Sequence, residues 1–78
     1  MGLDIEFHFD DGRIHKIHMC YSNFSNKVMS IQDMVKWGFT DHDGSYTGDQ
    51  LDFLIDCLIR SRYLKKPFDP RPFIAKFC

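Results

Sequence analysis

The chain has 78 residues, 44% hydrophobic and 15% aromatic, with a net charge of −1. That length makes one domain near the lower size limit for a self-sufficient core, and the composition excludes a disordered chain. No run approaches the ~18 apolar residues a membrane span needs, and Asp4, Glu6 and His8 interrupt the first apolar stretch, so neither a span nor a secretory leader is expected. Three cysteines (Cys20, Cys57, Cys78) without a CxxC pair exclude a disulfide framework and a zinc finger. Reduced thiols in a cytoplasm are the expectation.

In chain order, "LDIEFHF" (3–9) alternates Leu3, Ile5, Phe7 and Phe9 with Asp4, Glu6 and His8, the period of a strand with one buried face. "DDG" (10–12) is turn chemistry and "RIHKIHMCY" (13–21) returns, so a β-hairpin is predicted over 3–21. A two-residue Asp11-Gly12 turn would set Ile5 opposite His18. A three-residue loop with Gly12 left-handed sets Ile5 opposite Ile17, Leu3 opposite Met19 and Glu6 opposite Lys16. The second register matches apolar with apolar and charge with countercharge, and is preferred.

"SNFSNK" (22–27) reads as a loop or a short third strand. A short helix is predicted over 30–39, capped by Ser30 with Asp33 three residues on, and with Ile31, Met34, Val35 and Gly38 as its apolar face. The connection "GFTDHDGSYTGDQL" (38–51) resembles an EF-hand calcium loop only over its middle. Aligned on Gly44, its first position is Phe39 rather than an acid, and its twelfth is Gln50 rather than the bidentate Glu. A helix-to-helix connection accounts for more of it: Asp43-Gly44 makes the turn, Thr47 caps the next helix, Gln50 completes a capping box, and Asp49 lies in the first turn.

The main helix is predicted over 48–64, with Leu51, Leu54, Ile55, Leu58 and Ile59 on its core face and Asp52, Asp56 and Arg60 as a polar stripe. Phe53 and Cys57 fall outside that face. A helix apolar nearly all round needs a second cover, and this flank leads to the expectation of a homodimer. The tail "KKPFDPRPFIAKFC" (65–78) carries three prolines, so it is expected to run extended, with Phe68, Phe73, Ile74 and Phe77 as apolar anchors. Those anchors either fold back over Phe53 as core or form an arm that grips another protein.

Charge is divided along the chain. Residues 1–59 hold four Lys/Arg (Arg13, Lys16, Lys27, Lys36) against ten Asp/Glu, whereas residues 60–78 hold six (Arg60, Arg62, Lys65, Lys66, Arg71, Lys76) against Asp69 alone. The fold class expected is α+β: an N-terminal antiparallel β-hairpin, with or without a short third strand, packed on two α-helices, with an extended C-terminal tail.

Catalytic chemistry is thin. Asp4, His8, His15, His18 and Cys20 are the only metal-like cluster, and strand histidines without four well-spaced ligands do not make a structural zinc site. No GxxxxGK or GxGxxG phosphate loop occurs. No enzyme, metal or cofactor is expected. The reading is a non-enzymatic protein–protein interaction module, a small inhibitor or adaptor occupying a larger cytoplasmic protein, similar in type to the inhibitors bacteriophages make against host or defence proteins. Its protein-binding residues are expected to be Phe53, Cys57, Arg62, Phe68, Arg71, Phe73 and Phe77, with the hairpin's polar face around Glu6, His8 and Lys16 as the other place to look. The alternatives are a nucleic-acid-binding accessory protein using the basic C-terminal segment, and an accessory subunit of a cellular complex. No membrane partner is expected.

Overall fold

The computed structural model describes residues 2–78 and is an α+β fold. Strands β1 (Gly2–His8) and β2 (Ile14–Cys20) form the hairpin in the preferred register, with Ile5 opposite Ile17, Leu3 opposite Met19 and Glu6 opposite Lys16. Its loop closes through a bond from the Gly12 N–H to the Phe9 carbonyl and another from the Phe9 N–H to the Arg13 carbonyl, both 3.0 Å. Gly12 has a φ of 89°, the left-handed value this loop requires and other residues resist.

Residues 22–27 are neither loop nor strand. A helical turn, α1 (Tyr21–Asn23), continues into a π-helical turn over Phe24–Val28, in which the Met29 N–H reaches the Phe24 carbonyl at 3.0 Å. Ser and Asn are poor helix formers, and burial of Phe24 and Val28 overrides that preference.

Helix α2 (Ile31–Trp37) is capped as predicted: the Ser30 hydroxyl accepts from the Asp33 N–H at 3.1 Å. It ends at left-handed Gly38 (φ 80°), where the Phe39 N–H bonds the Met34 carbonyl at 2.7 Å and the Gly38 N–H bonds the Val35 carbonyl at 3.4 Å. Its predicted face is corrected. Met34 is buried and Trp37 half-buried, but Ile31 and Val35 are each 66% exposed. A face centred between Met34 and Trp37 leaves Ile31 and Val35 roughly 90° or more round the helix.

The connection that follows holds a strand not expected from the sequence, β3 (Ser45–Tyr46). Asp41 makes its turn, its carboxylate accepting from the Asp43 N–H at 2.9 Å and its carbonyl from the Gly44 N–H at 3.4 Å. A Cβ at Gly44 would collide with the Tyr46 ring, so this glycine is required for close approach. Helix α3 (Gly48–Arg60) follows. Thr47 stands at its N-cap position, but its hydroxyl makes no capping bond, because left-handed Gly48 (φ 60°) bends the first turn out of capping geometry. Gln50 does not complete a capping box either. Its side-chain amide donates to the Trp37 carbonyl at 2.7 Å, tying the end of α2 to the start of α3.

α3 stops four residues short of the predicted Leu64. The Arg62 N–H returns to the Ile59 carbonyl and the Tyr63 N–H to the Leu58 carbonyl, at 3.0 and 2.9 Å. Arg62 occupies the left-handed position of this C-cap, with a φ of 69° where glycine is usual. The last part of the tail is strand β4 (Ile74–Phe77), antiparallel to both β1 and β3. The sheet order is β2-β1-β4-β3. One face carries Leu3, Ile5, Phe7, Ile17, Met19, Tyr46, Ala75 and Phe77 into a single core with Leu51, Leu54, Ile55 and Leu58 of α3. The other face is open and polar. No helix of the described residues is long and apolar enough to cross a membrane.

Candidate protein-binding surface

The residues expected to bind a partner are scattered by the fold. Phe77 is core, edge-on to Phe24 at 5.5 Å and to Tyr46 at 4.8 Å. Cys57 is also core, and burial pushes its thiol up from the ordinary value, against the opposing pull of Arg60. Phe53 is half-buried beneath Trp37. The helical flank offered for a homodimer is thus covered in part from within the chain, by Trp37 over Phe53 and by the core around Cys57. Arg71 forms an ion pair with Asp52, and Arg60 pairs with Asp56 at 3.2 Å, so part of the basic tail neutralises the acidic stripe of α3. Phe73 is 53% exposed.

Phe68 is the residue around which a surface forms. Its ring stands edge-on to Phe7 at 5.3 Å, His15 at 5.6 Å and Phe9 at 5.8 Å, on the helix-side face of the hairpin. It plugs its own sheet and does not project as an arm, because the prolines at 67, 70 and 72 carry the chain from the end of α3 back across the hairpin. Three depressions border this segment. One of about 270 Å³ lies among Phe9, Arg13, Ile14, Phe68 and Pro70. One of about 140 Å³ lies between Asp10, Asp11, Pro70 and Arg71. The third, about 310 Å³, is lined by His15, Tyr63, Leu64, Lys65, Pro67 and Phe68. Ile14, at their edge, is 52% exposed.

Charge around them is uneven. Arg13 is held by Asp11 at 2.6 Å and lies 5.2 Å over the Phe9 ring. Arg62, Lys65 and Lys66 form no ion pair among the described residues and are exposed. Sequence reasoning missed Phe9, Ile14, His15 and Tyr63 as parts of one surface. The cue present in the sequence was a proline-rich segment long enough to cross the hairpin end.

The open face of the sheet carries a ladder of charge. Asp4 meets His18 at 2.5 Å, and Glu6 meets His8 at 3.1 Å and Lys16 at 3.4 Å. The His8 hydrogen bond, helped by Lys16, holds the Glu6 carboxyl below the ordinary carboxylate value. His8 and His18 divide between two carboxylates, and among the described residues no three His, Cys, Asp or Glu side chains are placed to hold a metal ion. The three cysteines are free thiols. No known protein family, curated protein or solved structure matches the chain.

Proposed function

We propose that the protein is a non-enzymatic binding module, a small inhibitor or adaptor that acts by occupying a larger protein in a reducing cytoplasm. The observation that carries this reading is the run of depressions around Phe68, where half-buried aromatic surface meets Lys65, with the exposed cations Arg62 and Lys66 next to it in the chain. Aromatic and arginine side chains dominate protein interfaces, and a site already seated against its own core loses little entropy on docking. A phage-encoded inhibitor of a host or defence protein is the setting proposed, on size and type alone.

The test is co-purification from lysate with the wild type, with Tyr63→Ala/Lys65→Glu, and with Val35→Ser on the far helix. The reading expects a stoichiometric partner kept by Val35→Ser and lost by the double variant. A partner retained by both variants would place binding elsewhere.

A second reading has its own support: Tyr63 and Phe68 interleave with the same free cations, the mix that tracks a phosphate backbone. Affinity for nucleic acid would fall steeply with salt, whereas an aromatic-anchored protein interface would lose little.

A further inference from the structure

β2 is an edge strand: the sheet order leaves it paired with β1 alone. The Phe9–Arg13 bond fixes the phase of the ladder, so residues 15, 17 and 19 bond inward to β1. The N–H and C=O groups of Ile14, Lys16 and His18 therefore point outward, as does the N–H of Cys20, whose carbonyl heads α1. Most exposed edges are blunted by short length, proline or a bulge. This one is seven residues long and contains none of these, and a lysine is its only charged guard.

Resting on the binding reading above, we infer that the partner adds an extended segment to β2 as a fifth strand, and that this segment is acidic and apolar in alternation. Charge complementarity identifies it. β2 holds His15, Lys16 and His18 and no carboxylate, and Lys65 shares with His15, near the first end of β2, the wall of the 310 Å³ cavity. On its inner side β2 already accepts such a strand. β1 sets Asp4 and Glu6 against His18 and Lys16 on the open face, and apolar residues on the helix face. An incoming strand of the same pattern sets a carboxylate beside the exposed Lys16 ammonium, the fixed positive charge of β2 on the open face. One apolar side chain on its other face reaches the cavity of about 310 Å³, whose wall includes His15, a helix-face residue of β2. Backbone pairing would supply affinity, and the cavity with its lysine rim specificity.

A second copy of the chain fits this edge poorly. Two-fold pairing of β2 with itself, centred on Lys16 or Ile17, sets Lys16 against Lys16 or His18 and leaves no carboxylate opposite it.

The experiment titrates the full chain with three labelled decapeptides and an oligothymidylate of ten nucleotides. The first peptide alternates Glu with Ile and Phe, the second replaces Glu by Lys, and the third is the first peptide N-methylated at alternate residues on its pairing edge. The expected result is binding of the first peptide alone, weakened about tenfold or more by Lys65→Glu/Lys66→Glu and by Lys16→Pro. Lys16→Pro removes an outward N–H without breaking a bond to β1. Should that variant not fold, the N-methylated peptide tests the same bonds on the wild type. Hydrogen exchange supplies the signature: amides of residues 14, 16, 18 and 20 gain protection, while 15, 17 and 19 are protected beforehand.

Equal binding of the N-methylated peptide, equal binding of the Lys peptide, tighter binding of the oligonucleotide, or no peptide binding at millimolar concentration each overturns strand addition. The wider reading is judged separately, by whether the co-purified partner is lost with Tyr63→Ala/Lys65→Glu.

Discussion

Trp37 and Phe53 lie ring on ring, centroids 4.5 Å apart and planes 9° from parallel. The stack joins the last residue of α2 to the outer side of α3, and it turns Val35 toward solvent. Stacked aromatic pairs contribute about 0.5–1.5 kcal/mol beyond the area they cover. Phe53→Ala is therefore expected to lower stability by about 1–3 kcal/mol in denaturant melts, while Val35→Ala changes it by less than about 0.5 kcal/mol. Equal costs at the two positions would mean that α2 presents Val35 to the core.

The two helix starts give opposite expectations for similar residues. Ser30→Ala removes a formed cap and is expected to cost about 1 kcal/mol. Thr47→Ala removes a hydroxyl with no capping bond and is expected to cost under about 0.5 kcal/mol. Gln50→Ala should cost more than Thr47→Ala, because it leaves the Trp37 carbonyl without its side-chain donor. Urea midpoints of the three variants give the order directly.

The tail is structural at its end. β4 lies between β1 and β3, so removing residues 67–78 takes out an interior strand together with the Phe68 plug. The truncated chain is expected to lose its cooperative thermal transition, and Phe77→Ala in the full chain to cost about 3–5 kcal/mol. A sharp melt in the truncated chain would separate the tail from the fold.

Tyr46 links stability to alkaline pH. Burial, reinforced by the nearby Asp41 carboxylate, pushes its hydroxyl up to about 12 from an ordinary value of 10. Below pH 10 the hydroxyl is protonated in both folded and unfolded chains, and its contribution is fully present. Between about pH 10 and 12 the unfolded chain gives up the proton first, so stability falls as pH rises. Tyr46→Phe should flatten that fall, at the cost of the 3.3 Å bond to the Asp41 carbonyl. A wild type and variant with parallel stability curves above pH 10 would contradict this assignment.

The three thiols should separate by environment. Cys20 and Cys78 are exposed, and Cys78 is held above the ordinary thiol value by burial and by the Glu6 and Asp4 carboxylates. Cys57 is buried as well as raised. With a maleimide at neutral pH, Cys20 is expected to label first, Cys78 next, and Cys57 only as the chain unfolds. Mass spectrometry of the digest reads the order.

Local chemistry written into the residues determined the hairpin, its register and its left-handed Gly12, because alternation, charge pairing and turn type all select one solution there. It also determined the Ser30 cap and the Leu51, Leu54, Ile55 and Leu58 face of α3, where helical spacing suffices. The remainder depended on contacts between distant segments. Tyr46 and Ala75 become strand neighbours across 29 residues, and neither SY nor IAKF is long enough to declare a strand alone. The rotation of α2 was settled by Phe53, sixteen positions beyond Trp37, because a seven-residue helix carries too few apolar positions to specify its own face. Likewise the surface around Phe68 sets Phe9 and His15 of the hairpin beside Tyr63 from the segment after α3, and only the return of the tail across the hairpin brings them together.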